Sequence, residues 1–262
     1  MKFADMMLDT HAHLTDARYQ SVADVLVAAN GEGVNTVISV GYDMASSEGS
    51  VALSEAFGGV YAAVGVHPSD SAAINDQTLD RLKSLLSHPK VVALGEIGLD
   101  YHYENTDKPV QAAAFIRQME LASACNMPIA IHSRDCTEDM LSILTTHRHL
   151  LSSGGIMHCF SGSKEFAKQC LDLGLHISFS GTVTFKNARK VQEAAIFVPK
   201  DRLLAETDSP YLSPDPFRGQ TNSPMRVALV YKMLAALRGE DLFGLCKQIK
   251  QNAYALMPRL GK

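Results

Sequence analysis

No stretch of this chain approaches the roughly 18 uninterrupted apolar residues of a membrane span, which excludes an integral helical membrane protein. The segment Met1–Asp9 lacks the charged, apolar and small-residue order of a secretory signal, so a cytoplasmic setting is expected. Cysteine is sparse: Cys125, Cys136, Cys159, Cys170 and Cys246 are an odd set with no Cys-x-x-Cys pair. That pattern excludes a disulfide framework or a zinc ribbon and reads as reduced thiols. Cys159 stands beside a candidate ligand, His158, and either binds metal or is buried as a small hydrophobe. Blocks of like charge are missing and the net charge is −4, so global charge gives no support to tight nucleic-acid binding. A locally basic cleft stays open. No Gly-x-Gly-x-x-Gly follows the first candidate strand, which argues against a dinucleotide fold. Linker-like stretches and internal repeats are lacking, so one domain over 1–262 is expected, with no obligate protein partner evident.

What the chain does have is apolar sequence in short runs. Hydrophobic residues make up 46% of its 262 positions, enough for a large core. Eight runs read as strands: Met6–Asp9, Thr36–Val40, Tyr61–Gly65, Val91–Gly95, Pro128–Ile131, Gly155–Met157, His176–Phe179 and Arg202–Ala205. Helical stretches alternate with them at Val22–Asn30, Ala45–Phe57, Gln77–Ser87, Val110–Cys125, Thr137–His147, Lys164–Leu173 and Asn187–Ala195. Two more, Pro224–Leu237 and Asp241–Leu256, close the chain. Strict strand–helix alternation means parallel strands with right-handed crossovers. Eight units suggest closure into an α/β (β/α)8 TIM barrel with extra C-terminal helices, an open doubly wound sheet being the alternative.

The polar residues fall at strand ends, where barrel enzymes carry their sites. Asp9-Thr10-His11-Ala12-His13 ends the first strand. Alternation puts Asp9, His11 and His13 on one face; the two imidazoles can share an ion while Asp9 orients one of them. Glu96 alternates in phase with Val92 and Leu94 and therefore points inward, where a carboxylate needs a cation or a metal. His132 ends the fifth strand and His158 the sixth. Glu206 and Asp208 share a face after the eighth, and Asp208 is a candidate ligand or general base. Alone, Asp208 reads equally well as a turn cap before Ser209-Pro210. Jointly, His11, His13, Glu96, His132, His158 and Asp208 suffice for two divalent ions. One ion takes His11, His13 and Asp208, the other His132 and His158, and Glu96 bridges them.

These phrases resemble the TatD family of metal-dependent deoxyribonucleases, within the amidohydrolase-like barrels. The matching segments are Asp9–Leu14, Gly65-Val66-His67-Pro68, Gly95–Tyr101, Ile131–Arg134, His158–Gly162 and Glu206–Leu212, with Asn252-Ala253-Tyr254 near the C-terminus. The resemblance implies a TIM barrel, two divalent ions (Mg²⁺, Mn²⁺ or Zn²⁺) and hydrolysis of DNA phosphodiesters by a metal-activated water. It carries ligand roles to the six residues above, catalytic roles falling to Asp208 and Glu96. It adds His67 as a phosphate contact. Arg134 and Arg218 are further candidates for phosphate oxygens. Tyr101 either stacks on a base or packs the barrel rim, and Arg134 has a surface alternative in Asp135 or Glu138. His88, His147 and His149 read as solvated, while His102 lies near enough to the mouth to stay open. Where the family carries a basic phrase after the eighth strand, this chain has Arg218-Gly219-Gln220-Thr221-Asn222-Ser223-Pro224. Gln220 and Thr221 replace two cations, which weakens the expectation of strong DNA binding. A small phosphoester, lactone or amide substrate on the same two-metal site is the alternative.

Overall fold

A computed structural model describes residues 6–103 and 107–261. Its elements run β1 (Met7–Ala12), α1 (Val22–Gly31), β2 (Val34–Val40), α2 (Met44–Ala56), β3 (Val60–Val64), α3 (Asp76–Leu86), β4 (Val91–Asp100) and α4 (Lys108–Ala124). They continue as β5 (Ile129–Arg134), α5 (Thr137–Thr146), β6 (Gly155–Met157), α6 (Lys164–Asp172), β7 (His176–Phe179), α7 (Arg189–Phe197), β8 (Leu203–Ala205), α8 (Val227–Arg238) and α9 (Leu242–Leu256). All neighbouring strands pair in parallel, in the order β1 to β8. The last strand returns to the first: Asp208 N–H donates to the His11 carbonyl (2.9 Å) and His13 N–H to that of Ser209 (2.7 Å). This is a TIM barrel, nearly closed, with helices between its strands, and α9 is the additional C-terminal helix.

The strands read as apolar runs because both faces are covered, the inner by the barrel core and the outer by helices. β2, β3, β6, β7 and β8 are buried along almost their whole length. Helices start where a short polar side chain caps them, as at Ser21, Asp43, Asn75, Asp107, Ser163 and Asp241. Gly95 is required by close approach: a Cβ there would meet the Ala130 carbonyl oxygen at 2.8 Å.

Several boundaries differ from the sequence expectation. β1 extends past Asp9 to Ala12, so His11 lies within the strand rather than beyond it. β4 runs five residues past Gly95, to Asp100, because its partner β5 also continues, pairing Gly98 with His132 and Asp100 with Arg134. The stretch from Pro224 opens as a short 3-10 turn, Pro224–Arg226, before α8. Two other 3-10 turns, Pro68–Ala73 and Gly181–Thr184, follow β3 and β7 in what reads from sequence as loop.

The C-terminal helices fasten the barrel through polar side chains reaching strand and turn carbonyls. Tyr231, fully buried on α8, donates its hydroxyl to the Leu8 carbonyl at 3.1 Å. Asn252 on α9 donates to the carbonyls of Lys200 (2.7 Å) and Leu203 (2.9 Å), just before and at the start of β8. Arg259 satisfies the carbonyls of Leu86 and Val91 at 2.8 Å each, bracketing the turn from α3 to β4. Each such bond to a charged or buried donor contributes about 1–3 kcal/mol.

His176 opens β7 with its Nδ1 buried and unpartnered. Burial, with repulsion from Arg202, pushes its imidazole down to about 4 from 6.5. A depressed folded-state value means the native protein resists a proton that the unfolded chain accepts. Its contribution is therefore full above pH 6.5 and lost as pH falls toward 4, on the order of 3 kcal/mol at the limit. The urea midpoint of wild type should fall relative to that of His176→Gln between pH 7 and pH 5. Parallel displacement at both values would refute this.

Candidate metal centre

Five strand ends bring the predicted residues to one point. β1 supplies His11 and, one residue past its end, His13; β4 supplies Glu96, β5 His132, and the residues just after β6 and β8 supply His158 and Asp208. Glu96 sits at the middle. Its Oε1 lies 2.6 Å from both His132 Nδ1 and His158 Nε2, and its Oε2 lies 3.7 and 3.8 Å from His11 and His13 Nε2. Asp208 Oδ1 is 3.3 Å from His13 Nε2 and 3.8 Å from His11 Nε2. The His11 and His158 rings stack at 4.0 Å.

Among the described residues four overlapping donor sets have ligating atoms within 4.8 Å of one another: His11–His13–Glu96, Glu96–His132–His158, His11–His158–Asp208 and His67–Asp100–His132. His11 Nε2 is buried with no hydrogen-bond partner. Its nearest carboxylate oxygens are too far for a hydrogen bond, so a buried nitrogen lone pair is left aimed at the centre. Imidazole and carboxylate donors with one such orphan fit a divalent cation.

The charges agree. Burial alone would raise the Glu96 carboxyl, but the imidazoles of His158 and His132 hold it well below the usual range. Burial would likewise raise Asp208, and the His13 hydrogen bond together with neighbouring imidazoles lowers it instead. Both groups are thus anionic donors at neutral pH.

Each of three imidazoles has its other nitrogen fixed, which the sequence did not reveal. His132 Nε2 meets Asp100 Oδ2 at 3.1 Å, His158 Nδ1 meets Glu206 Oε1 at 3.2 Å, and His13 Nδ1 meets the Val40 carbonyl at 3.0 Å. Such partners set the tautomer and ring orientation of a metal-binding histidine. Asp100 lies in the Gly95–Tyr101 phrase and Glu206 two residues before Asp208, so both were visible but unassigned. Asp9, expected to orient an imidazole, does something else. Its carboxylate accepts the N–H groups of His11 (3.2 Å) and Thr207 (2.9 Å) and the Thr207 hydroxyl (2.5 Å). It therefore locks β1 to the segment after β8 and places His11 and Asp208 through their backbones.

A cavity of about 650 Å³ opens above this centre. His67 and Arg134 line it, as do Tyr42, Tyr103 and Tyr211. Ser69 N–H donates to His67 Nδ1 (3.1 Å), so the neutral ring carries its proton on Nε2, facing Glu96 at 3.9 Å. Burial pushes the imidazole down to about 4, which keeps it neutral. Arg134 makes no ion pair with Asp135 or Glu138 among the described residues; its guanidinium lies 5.9 Å from the Tyr103 ring.

Two expected substrate contacts stand elsewhere. Tyr101 is not in the cavity lining: its hydroxyl donates to Asp139 (2.9 Å) and Lys108 covers its ring at 4.4 Å, so it packs the rim. Arg218 also lies outside the lining, its guanidinium stacked on Phe185 at 4.4 Å. The Cys159 thiol sits 3.2 Å from the Ser180 hydroxyl, and burial raises it well above its usual value, which disfavours the thiolate a metal requires. His102 pairs with Asp135 at 3.1 Å, and His88 with Glu55 at 3.2 Å.

Fold and site together are those of a metal-dependent hydrolase. The sequence profile described as TatD related DNase matches residues 8–258, and the chain belongs to that family. It is 43% identical over 252 residues to the uncharacterized metal-dependent hydrolase YabD of Bacillus subtilis, covering 96% of this chain and 98% of that one. It is 33% identical over 256 residues to the 3′-5′ ssDNA/RNA exonuclease TatD of Enterobacter lignolyticus, covering 95% and 98%. The crystal structure of YjjV, a TatD homolog from Escherichia coli K12, superposes with a TM-score of 0.92 at 31% identity, covering 97% of this chain and 98% of that one. No helix among the described residues is long and apolar enough to cross a membrane.

Proposed function

We propose that this chain is a single-domain nuclease, acting in the cytoplasm on phosphodiester bonds of single-stranded nucleic acid with two divalent ions, Mg²⁺, Mn²⁺ or Zn²⁺. The observation that carries it is the pairing of Glu96 with imidazoles on both sides, its Oε1 toward His132 and His158 and its Oε2 toward His11 and His13. That arrangement suits a carboxylate shared between two cations. His11, His13 and Asp208 would hold one ion and His132 with His158 the other. Divalent ions held there supply Lewis acidity toward a phosphoryl oxygen and make a nucleophile of water near neutral pH.

The chain's own groups do the rest. Asp208, anionic and at the cavity floor, accepts the proton of the attacking water. His67, neutral with Nε2–H directed inward, donates a hydrogen bond to a phosphate oxygen. Arg134 offers a planar fork of N–H donors at the cavity wall. Asp100 and Glu206 hold His132 and His158 in register. Substrate class is supported by the Enterobacter lignolyticus relative, a 3′-5′ ssDNA/RNA exonuclease, and by the cavity of about 650 Å³ above the centre. The test is hydrolysis of single-stranded DNA by metal-stripped protein with each cation added back. Absence of any metal-stimulated cleavage would overturn the nuclease reading.

His67→Ala should lower kcat/KM about 10- to 100-fold, the loss of one transition-state hydrogen bond in a water-poor site. Metal content, measured by mass spectrometry of the dialysed protein, should match wild type. A lost ion would instead make His67 a ligand.

A further inference from the structure

The Ser209–Leu212 phrase does more than follow a candidate ligand. Tyr211 lines the cavity wall directly above His13, the two rings meeting edge to face at 5.9 Å. Tyr42, at the end of β2, meets the same imidazole at 5.6 Å from another side. Both tyrosines line the cavity.

Tyr211 is held as a platform. One face is covered by the guanidinium of Arg18 at 4.2 Å. Arg18 is itself clamped by Asp16, which accepts from Nε and Nη2 at 2.8 Å each. Tyr211 is 45% exposed and lines the cavity. The main chain beneath is pinned by the fully buried Asn222, whose Nδ2 donates to the carbonyls of Tyr211 (2.7 Å) and Thr207 (3.0 Å). Asn222 belongs to the loop that lacks the family's two cations. In that loop Gln220 bonds Arg226 Nη2 through its side chain (3.2 Å) and Ser213 through its carbonyl (2.9 Å). The loop thus serves to rigidify the Tyr211 segment.

We propose that the cavity-side face of Tyr211 is the stacking platform for the nucleobase beside the scissile phosphate, with Tyr42 as the facing wall. This rests on the nuclease reading and sharpens it: stacking on a preorganised ring adds affinity to the phosphate contacts of His67 and Arg134. Stacking is tolerant of base identity because every base has a π face. A ring already immobilised by Arg18 and Asn222 loses little conformational freedom on binding.

The test uses the metal-loaded enzyme with two single-stranded substrates: a short oligothymidylate, and an oligomer of the same sugar–phosphate length with every base replaced by a tetrahydrofuran abasic unit. Wild type should show a KM about 5- to 100-fold lower on the thymidylate. Tyr211→Leu should raise KM on the thymidylate by that factor and leave both constants on the abasic oligomer near wild type. Tyr211→Phe should behave as wild type on both. Binding of the two oligomers to the Asp208→Asn protein, followed by anisotropy, should reproduce the same split without turnover. Equal KM values for the two substrates in wild type, or a Tyr211→Leu effect that is the same on both, would overturn the platform alone. Failure to cleave either oligomer, with bis(p-nitrophenyl) phosphate still turned over, would overturn the nuclease reading and the platform with it.

Discussion

Replacing Asp208 by asparagine is expected to reduce metal-dependent hydrolysis by about 10³-fold or more while the barrel stays folded. The substitution is nearly isosteric and leaves the backbone contacts of residue 208 intact, including the bond from its N–H to the His11 carbonyl at 2.9 Å. What disappears is one negative charge. That charge is present at neutral pH because the His13 hydrogen bond and the nearby imidazoles outweigh the burial that would otherwise raise the carboxyl. An amide oxygen 3.3 Å from His13 can still ligate weakly, but it cannot take a proton from water. The loss should therefore appear in kcat more than in KM. Circular dichroism and the urea midpoint of the metal-free protein should stay close to wild type, since among the described residues the Asp208 side chain pairs only with the imidazoles of His11 and His13. Turnover within tenfold of wild type at equal metal content would remove Asp208 from the chemistry and leave it a structural turn residue.

The gathering of the candidate ligands at one point was legible in the sequence because strand periodicity is strict. Glu96 in phase with Val92 and Leu94 has to face inward, and two histidines separated by one residue at a strand end have to share a side. The partners that orient those ligands were not legible. Asp100 reaches His132 only because β4 and β5 continue together past Gly95, and Glu206 meets His158 across two strand ends that are far apart in sequence. Nothing local distinguishes these carboxylates from surface acids. Asp9 shows the opposite error: alternation places it beside His11, but a hydroxyl and two amides, two of these three donors coming from Thr207, claim its oxygens first. The aromatic residues at the mouth were left undecided by the sequence for a related reason. Tyr101 follows a site-bearing strand, yet Asp139 and Lys108 on flanking helices draw it to the rim, whereas Tyr211 is turned to the cavity by a loop whose course Asn222 dictates. Loop direction depends on such nonlocal bonds, which no short-range pattern records.

Glu96→Gln should be still more damaging, lowering hydrolysis by about 10⁴-fold and removing at least one ion per chain, because bridging needs two anionic oxygens. In the wild type Oε1 faces His132 and His158 while Oε2 faces His11 and His13. Glutamine keeps one oxygen and turns an NH₂ toward the other pair. That NH₂ can satisfy an imidazole lone pair, but it occupies the place where a cation would sit and repels it. The variant should thus fold and yet bind metal poorly. Thermal unfolding reports this directly: a ligand at 100 times its dissociation constant stabilises the native state by about 2.7 kcal/mol. Wild type should gain a clear upward shift on addition of Mn²⁺ or Zn²⁺, and Glu96→Gln should lose most of it. Glu96→Asp is the control, since it keeps both oxygens but withdraws them by one methylene; it should recover part of the metal content and little of the turnover. If Glu96→Gln retained two ions and near-normal rates, Glu96 would be only a counter-charge for the surrounding imidazoles, and the two-ion centre would have to be rebuilt on His11, His13, His132, His158 and Asp208 without a bridge.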